Sequence, residues 1–238
     1  MTQTPKQILM PFLKNVQKPA RYTGGELNQV IKDKKNVKLR IAFCFPDSYE
    51  IGMSNLGMKI LYDVLNSIPE VWCERVFAPW PDMEEKMREF SIPLFALESK
   101  DAIKDFDIIA TSLQYELCYT TAVNMIDLAG LPIFAKDRGE DSPVLLAGGP
   151  CAYNAEPVAD FYDIFSIGEG EEALPELCSL MQKMKKDGTY TKSAFLREAS
   201  HLKGFYVPSL YNVEYNEDGL SSALSLNMMT SPSELKRE

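Results

Sequence analysis

The chain has a single histidine, His201, and no two cysteines close enough in sequence to form a metal-binding pair. Cys44, Cys73, Cys118, Cys151 and Cys178 are dispersed and odd in number. That argues against a zinc site or an iron–sulfur cluster built from one local motif. Dispersed cysteines read instead as reduced thiols filling a core, which implies a reducing compartment. No apolar run comes near the roughly 20 residues that span a bilayer, so no membrane partner is expected. The start, Met1–Tyr22, lacks the apolar core and small-residue cleavage site of a secretion signal, and the expected location is the cytoplasm. Basic charge is also short, with 25 Lys and Arg against 34 Asp and Glu, a net charge of −9. Phosphate backbones need a basic face, so a nucleic-acid platform is disfavoured.

What is present suits a globular α/β protein. Hydrophobic residues make up 45% and charged residues 25% of 238, enough to bury a real core. Short apolar runs at Val37–Phe45, Val71–Phe77, Asp107–Ser112, Val144–Ala147 and Tyr162–Ile167 read as strands. Their lack of alternation is expected of strands covered on both faces. Between them lie helical patterns. Ile60, Leu61, Val64, Leu65 and Ile68 recur at helical spacing, and Asp82–Phe90 and Tyr119–Ala129 are two more helices. Leu174, Leu177, Met181 and Met184 mark one face of a closing helix. Alternation of this kind predicts a doubly wound, mostly parallel five-stranded sheet in the flavodoxin-like order 2-1-3-4-5. Pro93–Leu97 is expected as a short extra strand at the sheet edge.

The expected organisation is an N-terminal arm over residues 1–36, a Rossmann-type domain over 37–187, and a helix plus β-hairpin appendage over 188–238. In the arm, Arg21–Glu26 reads either as a surface turn or as a segment that packs on a neighbouring domain. In the appendage, Tyr206–Leu210 and Asn212–Tyr215 are expected strands, with a turn at Asn216–Gly219. The final residues, Ser231–Glu238, carry no cap or packing signal, and the chain is expected to continue into a further domain.

Open parallel sheets bind ligands beyond the carboxyl ends of their strands. Four loops are expected there, and they supply the candidate ligand contacts. Asp47, Tyr49, Gly52 and Ser54 follow the first strand, with Ser54 or Asn55 also a helix cap. Ser112 follows the third strand. Gly148 and Gly149 follow the fourth, and Gly168 and Glu169 the fifth. Two adjacent glycines permit close backbone approach to a ligand, and also ordinary left-handed turns. The sequence Gly168-Glu169-Gly170-Glu171 puts acids at a helix start and misses the GxGxxG pattern, which disfavours a nucleotide pyrophosphate. Asp47 and Glu50 would do acid–base work only within reach of a substrate. No set of residues here is expected to be catalytic alone, and no metal ligands are assigned.

The run GGPCAYNAEP, followed by FYDIFSIGEGEEALPEL, resembles the close of the cobalamin-binding-type Rossmann domain that precedes the barrel in many radical SAM proteins. Earlier blocks, among them ARYTGGELN, FPDSYEIGMSNLGMKILYDVLN, ERVFAPWPDME and SLQYELCYTTAVNMIDLAG, look like one branch of that superfamily and occur in its order. The likeness covers nearly the whole chain. It implies a non-catalytic accessory domain forming one wall of a cofactor or substrate crevice. The partner would be the radical SAM barrel of its own longer chain, where the CxxxCxxC motif, the [4Fe–4S] cluster and S-adenosylmethionine would sit. Ser112 and Gly148-Gly149 match positions that contact the nucleotide tail of cobalamin. One departure concerns cobalt. The D-x-H-x-x-G loop of histidine-bearing relatives is here Asp47-Ser48-Tyr49-Glu50-Ile51-Gly52, so Tyr49 stands where the lower cobalt ligand would be. A phenol is a poor substitute for imidazole, so cobalamin is expected to bind without a protein histidine. Two other readings remain. One is a structural or substrate-docking module whose crevice is filled by its own side chains, such as Tyr49 and Tyr115. The other is a flavodoxin-like mononucleotide binder.

Overall fold

Runs of buried apolar residues lay down the sheet, and alternate residues of each run feed two cores. The computed structural model describes residues 11–216 and 221–226. Its main sheet contains β1 (Leu39–Phe45), β2 (Val71–Phe77), β3 (Ile108–Ser112), β4 (Val144–Gly148), β5 (Ile164–Ser166) and β6 (Phe205–Tyr206). The spatial order is β2-β1-β3-β4-β5-β6. Pairings among the first five are parallel, and β6 joins β5 antiparallel. The expected order of five parallel strands is therefore found, with a two-residue sixth strand added at the edge.

The helices are α1 (Ala20–Thr23), α2 (Tyr49–Ser54), α3 (Leu56–Ser67), α4 (Pro81–Glu89), α5 (Tyr119–Leu128), α6 (Gly170–Asp187) and α7 (Lys192–Ala199). On one sheet face, Ala42, Cys44, Ile109, Leu145 and Phe165 pack with Met83 and Met87 of α4 and Met125 of α5. On the other, Phe43, Ala110, Leu146 and Ile164 pack with Met58 and Leu65 of α3, Leu177 and Met181 of α6 and Phe195 of α7. Each Leu, Ile, Phe or Met among them contributes about 1.5–3 kcal/mol when fully buried. Asn55, not Ser54, caps α3, its side chain accepting from Met58 N at 2.8 Å; Ser54 Oγ donates to Ile51 O. All five cysteines are free and buried.

Two expected elements differ. Pro93–Leu97 is not a strand of the sheet. Phe95 makes one isolated antiparallel bridge to Ala102, and Leu97 N donates to Arg75 O at 2.7 Å. Carboxylates take over where a ladder would have run: Glu98 accepts from Arg75 N at 2.7 Å and Glu74 from Ser99 N at 2.9 Å. The outer edge of β2 is thus covered, which protects it from pairing with another chain. Tyr206–Leu210 is also not one strand. β6 stops at Tyr206, and Pro208, which has no N–H to donate, opens a 3₁₀ turn over Pro208–Leu210. The next strand, β7 (Tyr211–Tyr215), pairs antiparallel with β8 (Ser221–Leu226) in a separate two-stranded sheet. Residues 217–219 of the expected turn lie outside the described residues, as do residues 1–10 of the arm and the tail Ser231–Glu238. No helix among the described residues is long and apolar enough to cross a membrane.

Candidate functional site

Parallel strands bring the loops after β1, β3, β4 and β5 to one edge of the sheet. What covers that edge differs along its length.

Over β1 and β2 the arm lies across the loop that contains Asp47 and Tyr49. Arg21 and Lys18 both hold Glu50, at 2.9 Å each, and their hydrogen bonds pull its carboxyl down to about 2. Tyr49 Oη donates to Glu26 at 2.8 Å, and its ring meets Phe77 edge-on at 5.4 Å. Burial, helped by the Glu26 bond, pushes the Tyr49 phenol up to about 12. Arg75 joins Glu26 at 2.9 Å and Glu98 at 2.6 Å. Gly52 serves packing here, since a Cβ would fall 2.3 Å from the Phe77 ring. The space left under the arm is about 20 Å³, room for about one water.

Over β3, β4 and β5 the edge is open. A cavity of about 410 Å³ lies between the sheet and the amino ends of α3 and α6. Pockets that hold small organic ligands run from about 300 to 1,000 Å³. Phe43, Ala110 and Leu146 form its floor on the sheet, and Leu61 and Leu174 its helical wall. Ser112, Gly148, Gly149, Ser166, Gly168 and Glu169 also line it, with Tyr153, Glu169 and Glu171 exposed at the mouth. Gly149 has φ +93°, and a Cβ there would meet Leu113 O at 2.8 Å. Its glycine requirement comes from the turn itself. Gly148 is different: a Cβ would have only Ser166 near it, at 3.8 Å.

Five of the nine candidates, Ser112, Gly148, Gly149, Gly168 and Glu169, come together around this cavity. Asp47, Tyr49, Gly52 and Ser54 do not line it. Asp47 instead accepts from Tyr115 Oη at 2.6 Å, a bond that ties the first two loops together and pushes the Tyr115 phenol up to about 12. Sequence reasoning missed Gly57, Ala110 and Ser166. Ser166 had a visible signal, a hydroxyl at the end of an otherwise apolar strand, on the same side as Ile164. Among the described residues, no group of three or more His, Cys, Asp and Glu side chains could hold a metal ion.

Residues 57–208 match the family described as radical SAM proteins, N-terminal. The chain belongs to that family. Every cavity residue named above except Phe43 falls inside the match, whereas the arm and the Asp47–Ser54 loop precede it. The radical SAM N-terminal domain is also similar to an uncharacterized protein of Methanocaldococcus jannaschii. The two are 30% identical over 166 residues, 68% of this chain and 30% of that protein. The match thus spans under a third of the length of this curated relative. No solved structure matches the chain.

Proposed function

We propose that this domain is the accessory, non-catalytic part of a radical SAM enzyme and that its cavity receives the nucleotide tail of a cobalamin. The single observation that carries the reading is the cavity of about 410 Å³ at the carboxyl edge of β3, β4 and β5, apolar within and open to solvent. Neither Tyr49 nor Tyr115 lines it, which counts against a crevice filled by its own side chains. Glu169 and Glu171 at the mouth count against a mononucleotide phosphate.

The residues fit the tail better than they fit cobalt. Ser112, Gly148 and Ser166 offer hydroxyls and an unobstructed patch of backbone to a flat group. Tyr49 is a poor metal ligand, because burial and its bond to Glu26 hold the phenol protonated, and it does not line the cavity. A bound cobalamin would supply alkyl-transfer and redox chemistry at cobalt, and this chain's part would be to hold the tail, exclude water from it and orient the corrin. In this reading the barrel of the longer protein forms the other wall and carries the [4Fe–4S] cluster and S-adenosylmethionine.

The test is retention of cobalamin through desalting, followed by absorbance, in the wild type and in Gly57→Phe. Gly57 is exposed on the first turn of α3 and faces the cavity. A phenylalanine there fills the space while improving a helix position by a few tenths of a kcal/mol. The expected result is retention by the wild type, with no histidine-ligated spectrum, and loss of at least tenfold in the variant at unchanged thermal stability. Equal retention by both proteins, or none by the wild type, would sink the reading.

A further inference from the structure

The carboxyl edge of the sheet carries most of the large apolar side chains that the fold leaves uncovered. Eleven are exposed among the described residues, and six of them stand at this edge: Ile51 and Leu56 after β1, Trp80 after β2, Tyr115 and Leu117 after β3, and Tyr153 after β4. Leu117 is 86% and Tyr153 72% exposed. Single exposed apolar residues are ordinary, but several gathered at one edge mark a contact surface. Charge at this edge has one sign. Residues 46–56, 78–82, 113–119, 149–156 and 167–172, which leave the ends of β1 to β5, contain eight Asp and Glu and no Lys or Arg, in a chain with 25 Lys and Arg. The arm shows what such a surface accepts. Arg21 stacks on the Trp80 ring at 4.4 Å, and Arg21 and Lys18 hold Glu50 at 2.9 Å each. The arm covers only the β1–β2 side, and Glu116, Glu169, Glu171 and Glu172 remain exposed on the loops beyond it.

We propose that this edge is the docking face for the part of its own longer protein that follows these residues, and that the partner surface is apolar at its centre with Lys and Arg around it. The inference rests on the reading of the chain as the N-terminal part of a radical SAM enzyme and is independent of cobalamin. Most of the curated relative's length lies outside the matched region, so in such a protein a further body of chain is there for the face to meet. Charge selects among the occupants. A second copy placed face to face would set acids against acids. Phosphate backbones and anionic lipid headgroups meet the same repulsion. A protein surface with an apolar centre and a basic rim matches both the apolar side chains and the acids, and contacts between domains are commonly built with an apolar core and a polar rim. Trp80, Tyr115 and Tyr153 are of the residue types that anchor such contacts.

The experiment is carbodiimide cross-linking of the full-length protein, which joins a carboxylate to an amine in contact with it, followed by mass spectrometry. Glu50 and Lys18, at 2.9 Å, supply the internal standard. The expected result is cross-links within one molecule from Glu116, Glu169, Glu171 or Glu172 to lysines beyond residue 238. Their yield should fall in about 1 M salt, where the screening length is roughly 3 Å. Leu117→Asp combined with Tyr153→Asp, at side chains too exposed to hold the fold, should lower the yield by roughly threefold or more with the Glu50–Lys18 standard unchanged. Cross-links to the same lysines from Asp105, Asp137 and Asp141 instead, exposed on the connections into the amino ends of β3 and β4, would overturn the choice of face. Cross-links that join two molecules would overturn the occupant, and an unchanged yield in the double variant would overturn the apolar centre. No cross-link beyond residue 238 would overturn the inference even where cobalamin is retained, whereas failure to retain cobalamin sinks only the reading of the cavity.

Discussion

Over β1 and β2 the carboxyl edge of the sheet is shut, and over β3, β4 and β5 it is open. Both halves are built from the same elements, strand ends running into loops and helices. The closed half pairs its charged and phenolic groups within the chain, Tyr49 with Glu26, Glu50 with Arg21 and Lys18, Arg75 with Glu26 and Glu98, though Arg21 Nη1 is buried with no hydrogen-bond partner among the described residues. In the open half about 410 Å³ stands over Ser112, Gly148 and Ser166. The topological switch point of an order such as this lies between β1 and β3. The difference teaches that the crevice position follows from topology, but which side of it remains available depends on segments outside the sheet. Here the arm covers the β1–β2 side.

The largest loss is expected at Arg75. The guanidinium is 5% exposed and lies between two carboxylates, Glu98 at 2.6 Å and Glu26 at 2.9 Å. Arg75→Ala leaves a buried carboxylate unpaired, which costs about 3–5 kcal/mol. A urea titration should register that loss, and the thermal midpoint should fall by roughly 2–4 °C for each kcal/mol in a protein of this size. A change under about 1 kcal/mol would mean that packing, not this pair, holds the closed half.

Next comes the turn on the open half. Gly149→Ala places a Cβ against Leu113 O in a left-handed backbone, and should cost about 1–3 kcal/mol. That turn is tied down by Leu113 N donating to Gly148 O at 2.7 Å and by Cys151 N donating to Leu113 O at 3.1 Å. Gly148→Ala, one residue earlier, meets only Ser166 at 3.8 Å and should be tolerated within about 0.5 kcal/mol. Parallel denaturation curves of the two variants decide it. Equal destabilisation would show that both glycines serve the turn and that neither is left over for a ligand.

Most of the fold was legible because buried parallel strands and one-sided helices leave strong periodic signals. The run Val144–Ala147 and the Leu174–Met184 stripe are examples. Pro93–Leu97 was misread because it has the residues of a strand, while Leu94 N and Ala96 N donate to Leu128 O and Asp101 O, Leu97 N alone reaches β2 at Arg75 O, and the next bond, from Arg75 N, goes to the Glu98 side chain. A carboxylate that replaces a ladder bond carries no periodicity. The candidate site was legible as a set of loops at one edge. It was not legible which of them the arm would cover, because that depends on pairs such as Glu26–Tyr49, 23 residues apart. Ser166 was passed over as part of a strand, since a single hydroxyl in an apolar run does not reveal that it will line a cavity.

The smallest effect is expected from two phenols, and it is read by pH. Tyr49 on the closed half and Tyr115 beside the open half are both pushed up to about 12, the first chiefly by burial and the second chiefly by its bond to Asp47. A phenol whose folded value lies above its unfolded value of about 10 stabilises the fold fully below pH 10. Its contribution is lost as pH rises through 10 towards 12. Unfolding midpoints measured across that range should therefore fall in the wild type. Tyr115 is exposed, so water screens its bond, and Tyr115→Phe should change stability at neutral pH by less than about 1 kcal/mol and leave the alkaline fall nearly intact. Tyr49→Phe removes a more buried bond, worth about 0.5–1.5 kcal/mol, and should flatten the fall more. Should Tyr115→Phe flatten it as much as Tyr49→Phe, the loop beside the cavity would be held as tightly as the loop beneath the arm, and the two halves would differ in the space above them rather than in how firmly their loops are fixed.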